Sequence, residues 1–202
     1  GAPVADGNTA YFALVTHDAI EVVVIDLSGQ APSIADRVTI TRELDEVGIN
    51  SVPNETKIAF HNDAIYVATT DVITVLDRSD HLHPTVANQI PLNDAREMIY
   101  SPRRIDASDD RLYVTHRFPM EIRIYDISNP ITPTEVGFEL TTRGVQKLSV
   151  AEGYLFGQMR RDRLRTYRID DAGNLTKESE IRVGWETWER QAGPIHVKDG
   201  HL

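Results

Sequence analysis

Apolar and polar positions alternate over short runs through most of this chain, and the runs recur in a fixed order. In Arg111 to Gly137 (RLYVTHRFPMEIRIYDISNPITPTEVG), Leu112, Tyr113 and Val114 form an apolar run after the turn residues Asp109 and Asp110. Ile122, Ile124 and Ile127 then alternate with or flank polar residues, which predicts a half-buried strand. Asp126, Ser128, Asn129 and Pro130 end that strand. Short polar side chains accept backbone N–H groups two residues on and proline pre-sets φ, so a turn is expected there. A third strand is predicted over Thr134 to Leu140.

The same order recurs. VVVIDLSGQAPS, ITVLDRSDHLHPT and IRIYDISNPITPT place an Asp and a Pro 6, 7 and 7 residues apart: Asp26 and Pro32, Asp77 and Pro84, Asp126 and Pro133. A fourth copy, LRTYRIDDAGNLT, keeps Tyr167 and Ile169 but has Arg168 at the Asp position and a Gly173–Asn174 turn in place of the proline. A second register agrees. Ile65–Tyr66, Leu112–Tyr113 and Leu155–Phe156 each follow a turn, and each turn follows another strand anchored on Ile58, Ile105 or Leu148, with Ile195 next; the anchors are spaced by 47, 43 and 47 residues. Four strands per unit at that period predict an all-β chain, a β-propeller of about four four-stranded antiparallel blades.

The blades fall at about residues 9–41, 56–92, 103–140 and 146–183, with 194–202 as the first strand of a further or closing blade. VADG at Val4 to Gly7 matches VKDG at Val197 to Gly200, so two arrangements are open. Residues 194–202 either complete the first blade and close a four-bladed ring, or the chain is part of a larger propeller with strand edges available for association with another chain. Expected interior residues are Val22, Val24, Ile58, Val75, Ile105, Val114, Ile124, Leu148 and Ile169.

VVVIDLS and IRIYDISNPITPTEVG resemble LVIVD-type repeats, and the likeness extends over nearly the whole chain, best in the third unit and worst in the fourth. The resemblance implies a propeller in a secreted or cell-surface bacterial protein, hence an extracellular, cell-surface or periplasmic location. It implies no single activity.

Composition narrows the chemistry. The 202 residues are 41% hydrophobic and carry a formal net charge of −10, which argues against nucleic acid or an anionic membrane as partner. No apolar run has the length of a membrane helix, so no membrane insertion is expected. There is no cysteine, which excludes a disulfide framework, a thiolate nucleophile and cysteine-ligated zinc together. No nucleophile elbow, phosphate loop, dinucleotide fingerprint or His-Glu-x-x-His occurs, and no cofactor is expected.

Candidate site residues come from propeller geometry. Loops between second and third strands share a face with the crossings between blades. That face would collect His116, Arg117, Phe118 and Arg160 from the loops, and Trp185 and Trp188 from a crossing; arginine with exposed tryptophan is the composition of a binding surface. Solvated charge and tryptophans packed on a neighbouring blade explain the same residues without a ligand. Lys57, Arg104 and Lys147 take one position on three successive innermost strands, where they would either hold an anion or line a channel that also carries Asp106. His81 and His83 have a two-residue spacing suited to zinc or copper, but they fall in a turn, so a polar turn is the simpler account and no metal site is assigned. Taken together these features point to a non-catalytic exported module binding a protein, a glycan or a small anionic ligand. The alternative is a propeller hydrolase or lyase working on the same face.

Overall fold

The alternating runs become sixteen strands among the described residues, arranged as four separate four-stranded antiparallel sheets. The computed structural model describes residues 4–15, 19–41, 57–69, 72–92, 102–116, 120–141, 144–159 and 163–182. In chain order the first blade is β1 (Val4–Asp6), β2 (Thr9–Val15), β3 (Ala19–Asp26) and β4 (Ser33–Thr41). The second is β5 (Lys57–His61), β6 (Ala64–Ala68), β7 (Val72–Asp77) and β8 (Thr85–Pro91). The third is β9 (Pro102–Ser108), β10 (Arg111–His116), β11 (Glu121–Asp126) and β12 (Thr134–Leu140). The fourth is β13 (Val145–Ala151), β14 (Tyr154–Met159), β15 (Arg163–Ile169) and β16 (Leu175–Arg182). Each sheet is a meander in which sequence neighbours pair. The strand beside Tyr11 is β1, with Val4 opposite Tyr11 and Asp6 opposite Thr9. Residues 194–202 lie outside the described residues. No helix is found among the described residues that is long and apolar enough to cross a membrane.

The turn chemistry repeats as closely as the strands. At the end of each third strand an Asp carboxylate accepts a backbone N–H two residues on: Ser28 to Asp26, Ser79 to Asp77 and Ser128 to Asp126, each at 2.8 Å. In the fourth blade Asp170 accepts a backbone N–H four residues on instead, from Asn174 at 2.7 Å. These hydrogen bonds hold all four carboxyls below their ordinary range. One residue before each Ser, or at Ile169 in the fourth blade, a backbone N–H donates to a carbonyl in the turn between first and second strands: Leu27 to Asn8, Arg78 to Asp63, Ile127 to Asp110 and Ile169 to Gly153. That turn begins with φ near +50° at Gly7, Asn62, Asp109 and Glu152. Asn and Asp tolerate the left-handed region through local hydrogen bonding, whereas Glu152 is helped by the glycine that follows it.

Pairing between third and fourth strands slips by one residue at the same place in all four sheets. The shifts lie between Val24 and Ile25, Val75 and Leu76, Ile124 and Tyr125, and Thr166 and Tyr167. The extra residue on the outer strand is Ala35, Ala87, Val136 or Glu178. A bulge of this kind bends the strand and increases its twist.

The chain divides into two compact units, residues 1–99 with the turn Asn129–Pro133, and residues 100–128 with 134–202. In the first unit Tyr11, Ala13, Val22, Val24 and Ile40 of the first blade pack on Ile65, Val67 and Leu76 of the second. In the second unit Tyr113, Ile122 and Ile124 of the third blade pack on Leu155, Met159 and Tyr167 of the fourth. The two seams are built alike: odd and even residues of a strand point to opposite faces, so one face of a blade carries the tyrosine and the other the aliphatic residue beside it. Val22, Val24, Val75, Val114 and Ile124 are buried, Ile105 only just so, while Ile58, Leu148 and Ile169 are partly buried against these clusters.

Polar pegs lock the seams. Within the first unit the Tyr11 hydroxyl donates to the His81 carbonyl (2.9 Å) and the Tyr66 hydroxyl to the Pro130 carbonyl (3.0 Å). Asn88 adds a hydrogen bond to the Ile131 carbonyl (3.1 Å). Within the second unit Arg111 does the equivalent work, its Nη2 donating to the Ala172 carbonyl at 3.2 Å. Gly173 beside it has φ +85°, and a Cβ there would lie 2.3 Å from the Arg111 Nε, so only glycine fits. Arg78, where the first and third blades have Leu27 and Ile127, is buried over Phe60 and donates to Asp6 at 2.6 Å.

Tyr11→Phe keeps the ring and removes the peg, leaving the His81 carbonyl without its donor. The expected cost is about 1 kcal/mol, read as a fall of roughly 2–4 °C in the thermal midpoint. Ile65→Ala, which opens the seam itself, is expected to cost about 2–5 kcal/mol in the same measurement.

Candidate functional site at the innermost strands

Innermost strands carry the polar residues that a propeller presents to its centre, and in the second unit two of them, β9 and β13, lie side by side. Arg104 and Asp106 are two residues apart on β9 and so share one side of it, opposite Thr115 and Tyr113 of β10. Lys147 sits on β13 opposite Gln158. The pairing confirms that Lys57, Arg104 and Lys147 occupy one register position, each just before the apolar anchor of its strand. All three are half-buried.

Arg104 and Lys147 are near enough to feel each other. The Lys147 ammonium is pushed below its ordinary range first by partial burial and then by the Arg104 charge. Lys57 belongs to the first unit, where it opens β5.

Asp106 is the titratable centre of this region. Its Oδ2 accepts the Val150 N–H of β13 at 2.8 Å and its Oδ1 accepts the Ala107 N–H at 3.0 Å. Burial pushes the carboxyl up to about 6, against the pull of those two amides. A carboxyl at that value exchanges its proton near neutral pH, as acid–base catalysis requires.

His116 is not the loop residue expected of it. It closes β10 with no exposure, because the strand runs one turn of alternation further than the apolar run suggests. Burial, with a contribution from Arg123, pushes its imidazole down to about 3, so it stays neutral at physiological pH. Nearby in the same sheet, Arg123 donates to Glu121 at 2.8 Å and to Glu135 at 3.1 Å, with Arg123 and Glu121 both buried. The fourth blade repeats the device at the equivalent Arg165, which pairs with Glu180; Arg163 and Lys177 pair with the same carboxylate. Sequence reading missed these networks, although RIY at Arg123–Tyr125 and RTY at Arg165–Tyr167 mark both arginines two residues before a buried tyrosine.

Arg117, Phe118, Arg160, Trp185 and Trp188 lie outside the described residues. His81 and His83 are exposed in the turn after β7. The His83 imidazole lies 3.4 Å from Asp36, and the His81 backbone serves the Tyr11 peg. Among the described residues no three His, Cys, Asp or Glu side chains gather as a metal site.

No family model matches this sequence, and no curated protein matches it significantly. Solved structures do. A protein from Lactobacillus plantarum superposes with a TM-score of 0.71 at 12% identity, over 92% of this chain and 56% of its own. The periplasmic gluconolactonase PpgL of Pseudomonas aeruginosa superposes with a TM-score of 0.69 at 13% identity, over 90% of this chain and 53% of its own. The chain thus spans about half the length of these structures, and the likeness establishes the fold: all-β, with the four-stranded blades of a β-propeller. It also overturns the reading of the chain as a non-catalytic binding module. A protein sharing the fold is named as a gluconolactonase, so the hydrolase alternative is the better supported.

Asp106 gives this region a pH signature. Its folded pKa of about 6 lies above the ordinary 3.8, so the folded state holds the proton more tightly and gains stability as pH falls from 6 towards 4. Above pH 6 the buried charge costs about 3 kcal/mol for a shift of about two units. Asp106→Asn retains an acceptor for Val150 without the charge. Thermal unfolding is expected to show the variant more stable than the parent at pH 8 and equal to it near pH 4. His116 acts in the opposite sense, since its depressed pKa withdraws stability as pH falls below 6.5 towards 3.

Proposed function

We propose that this chain is the blade array of a propeller hydrolase that opens a lactone, with its reacting centre at β9 and β13. The observation that carries the reading is the likeness in fold to the periplasmic gluconolactonase. The side chains on those strands are suited to the reaction. Asp106, as carboxylate, takes a proton from a water whose oxygen forms the new bond to the lactone carbonyl carbon. The Lys147 and Arg104 charges stabilise the negative oxygen that develops there. The ring C–O bond then breaks and the departing oxygen receives the proton from Asp106, giving a hydroxy acid and restoring the carboxylate. Water and lactone are consumed one for one, and no further reactant is needed.

The same neighbour, with the resemblance to LVIVD-type repeats, supports an exported, periplasmic or cell-surface setting for this activity.

The test is hydrolysis of glucono-1,5-lactone followed by proton release at pH 6.5, corrected for the spontaneous rate. Turnover above background is expected, rising with pH through about 6 as Asp106 ionises. Asp106→Asn is expected to lower kcat by about 100-fold or more with the fold intact. A rate equal to background for the parent, or an unchanged rate for the variant, overturns the assignment.

A further inference from the structure

One position of every second strand carries an aromatic ring: Tyr11, Tyr66, Tyr113 and Phe156. Opposite it on the innermost strand stand Val4, Ala59, Asp106 and Ser149. The third blade is the one that sets a carboxyl against the ring. We infer that Tyr113 is a positioning residue for Asp106, its ring walling the carboxyl off from water at the place where β9 meets β13. The inference rests on the lactonase reading, in which Asp106 takes and returns the proton.

Residues directly opposite on an antiparallel pair point to the same face, with Cβ atoms about 4.5–5.5 Å apart. Tyr113 and Asp106 are such a pair. Tyr113 is buried in a cluster with Ile122 and Ile124 of its own blade and Leu155, Met159 and Tyr167 of the next. Val150 packs its side chain against that cluster, while its amide donates to the Asp106 Oδ2 at 2.8 Å. Ring, carboxyl and amide are thereby gathered at one place. The Tyr113 hydroxyl lies elsewhere. Burial pushes it up to about 12, and the charges that act on it besides are those of Arg111, Asp109 and Asp170, at the turn ends of the strands. Tyr11 and Tyr66 likewise send their hydroxyls to turns, at the His81 and Pro130 carbonyls. The flank of the Tyr113 ring, and not its polar tip, is what Asp106 meets.

The strands packed most closely on β9 are β10 and β13. Their titratable or charged side chains are Arg111, Tyr113 and His116 on β10 and Lys147 on β13, with Arg104 on β9 itself. The proton affinity of Asp106 follows burial, opposed by the Val150 and Ala107 amides, rather than these charges. A wall that supplies burial therefore has more leverage on this carboxyl than a neighbouring cation.

The experiment is a carbon-13 NMR titration of the Asp106 carboxyl, its resonance identified with Asp106→Asn, beside the pH profile of glucono-1,5-lactone hydrolysis. The parent is expected to titrate near 6. Tyr113→Phe keeps the ring and is expected to leave that midpoint in place. Tyr113→Leu and Tyr113→Met keep an apolar filler but open a path for water. Both are expected to lower the midpoint by about one unit or more, towards the ordinary 3.8, because a solvated carboxylate holds its charge more readily. The acid limb of the rate profile is expected to move down in pH by the same amount. Ile122→Val loosens the same cluster without touching the ring, and is expected to lower the thermal midpoint while the titration stays unchanged. An unmoved titration in both Tyr113→Leu and Tyr113→Met overturns the inference. A shift as large in Tyr113→Phe overturns it in favour of the hydroxyl, and one as large in Ile122→Val overturns it in favour of the cluster as a whole. A ring-dependent titration in a parent that shows no turnover upholds Tyr113 as the wall while sinking the lactonase reading.

Discussion

A sheet with two apolar faces has to bury both of them, and the remaining features of these blades follow from that requirement. Tyr11, Val22 and Val24 on one blade meet Ile65, Val67 and Leu76 on the next; Tyr113, Ile122 and Ile124 meet Leu155 and Met159 in the same way. Each buried side chain of this size contributes about 1.5–3 kcal/mol relative to exposure, so a seam outweighs any single polar contact. The pegs from Tyr11, Tyr66 and Arg111 add less energy but more direction. A hydroxyl or guanidinium aimed at one carbonyl of a particular turn fixes how the two sheets meet, which apolar contact alone leaves loose.

Seams of this kind bring innermost strands next to each other, and in the second unit that proximity sets the environment of Asp106. β13 is the edge strand of its sheet, and Asp106 of β9 accepts its Val150 N–H. The same burial that makes the hydrogen bond worthwhile raises the cost of the carboxylate charge. Two backbone hydrogen bonds and a desolvation cost are therefore set against each other at a single residue, and the cost wins in raising its pKa. His116 shows the opposite solution: fully buried and held neutral, it supplies packing rather than a proton.

The repeat was legible in the sequence because its turns have a local mechanism. An Asp two residues before a Ser specifies its own hydrogen bond, and a near-regular spacing between Ile58, Ile105 and Leu148 marks the innermost strand of each blade. The equivalence of Lys57, Arg104 and Lys147 followed from the same spacing. What did not show was anything decided across blades. Asp106 meets Val150 from 44 residues away, and no local pattern marks that pair. His116 was placed on a loop because HRFP reads as polar punctuation, whereas its side chain is buried within reach of the Arg123 charge. The environment of Asp106 was hidden for a related reason: polar residues on innermost strands look like channel lining until a neighbouring strand buries them.

The slip between third and fourth strands has a bearing on how such a chain behaves in a crowded solution. An outermost strand offers a row of free amide and carbonyl groups, which is a template for stacking with another molecule. At Ala35, Ala87, Val136 and Glu178, the third or fourth residue of its strand in each case, the row is interrupted by an unmatched residue. A straight incoming strand that matched the groups on one side of the interruption would be out of step on the other. Large apolar side chains stand exposed on these strands at Ile34, Val86, Val136, Phe138, Leu140 and Ile181, so the irregular backbone is a built-in obstacle to fibrillar growth from the rim, repeated once per blade.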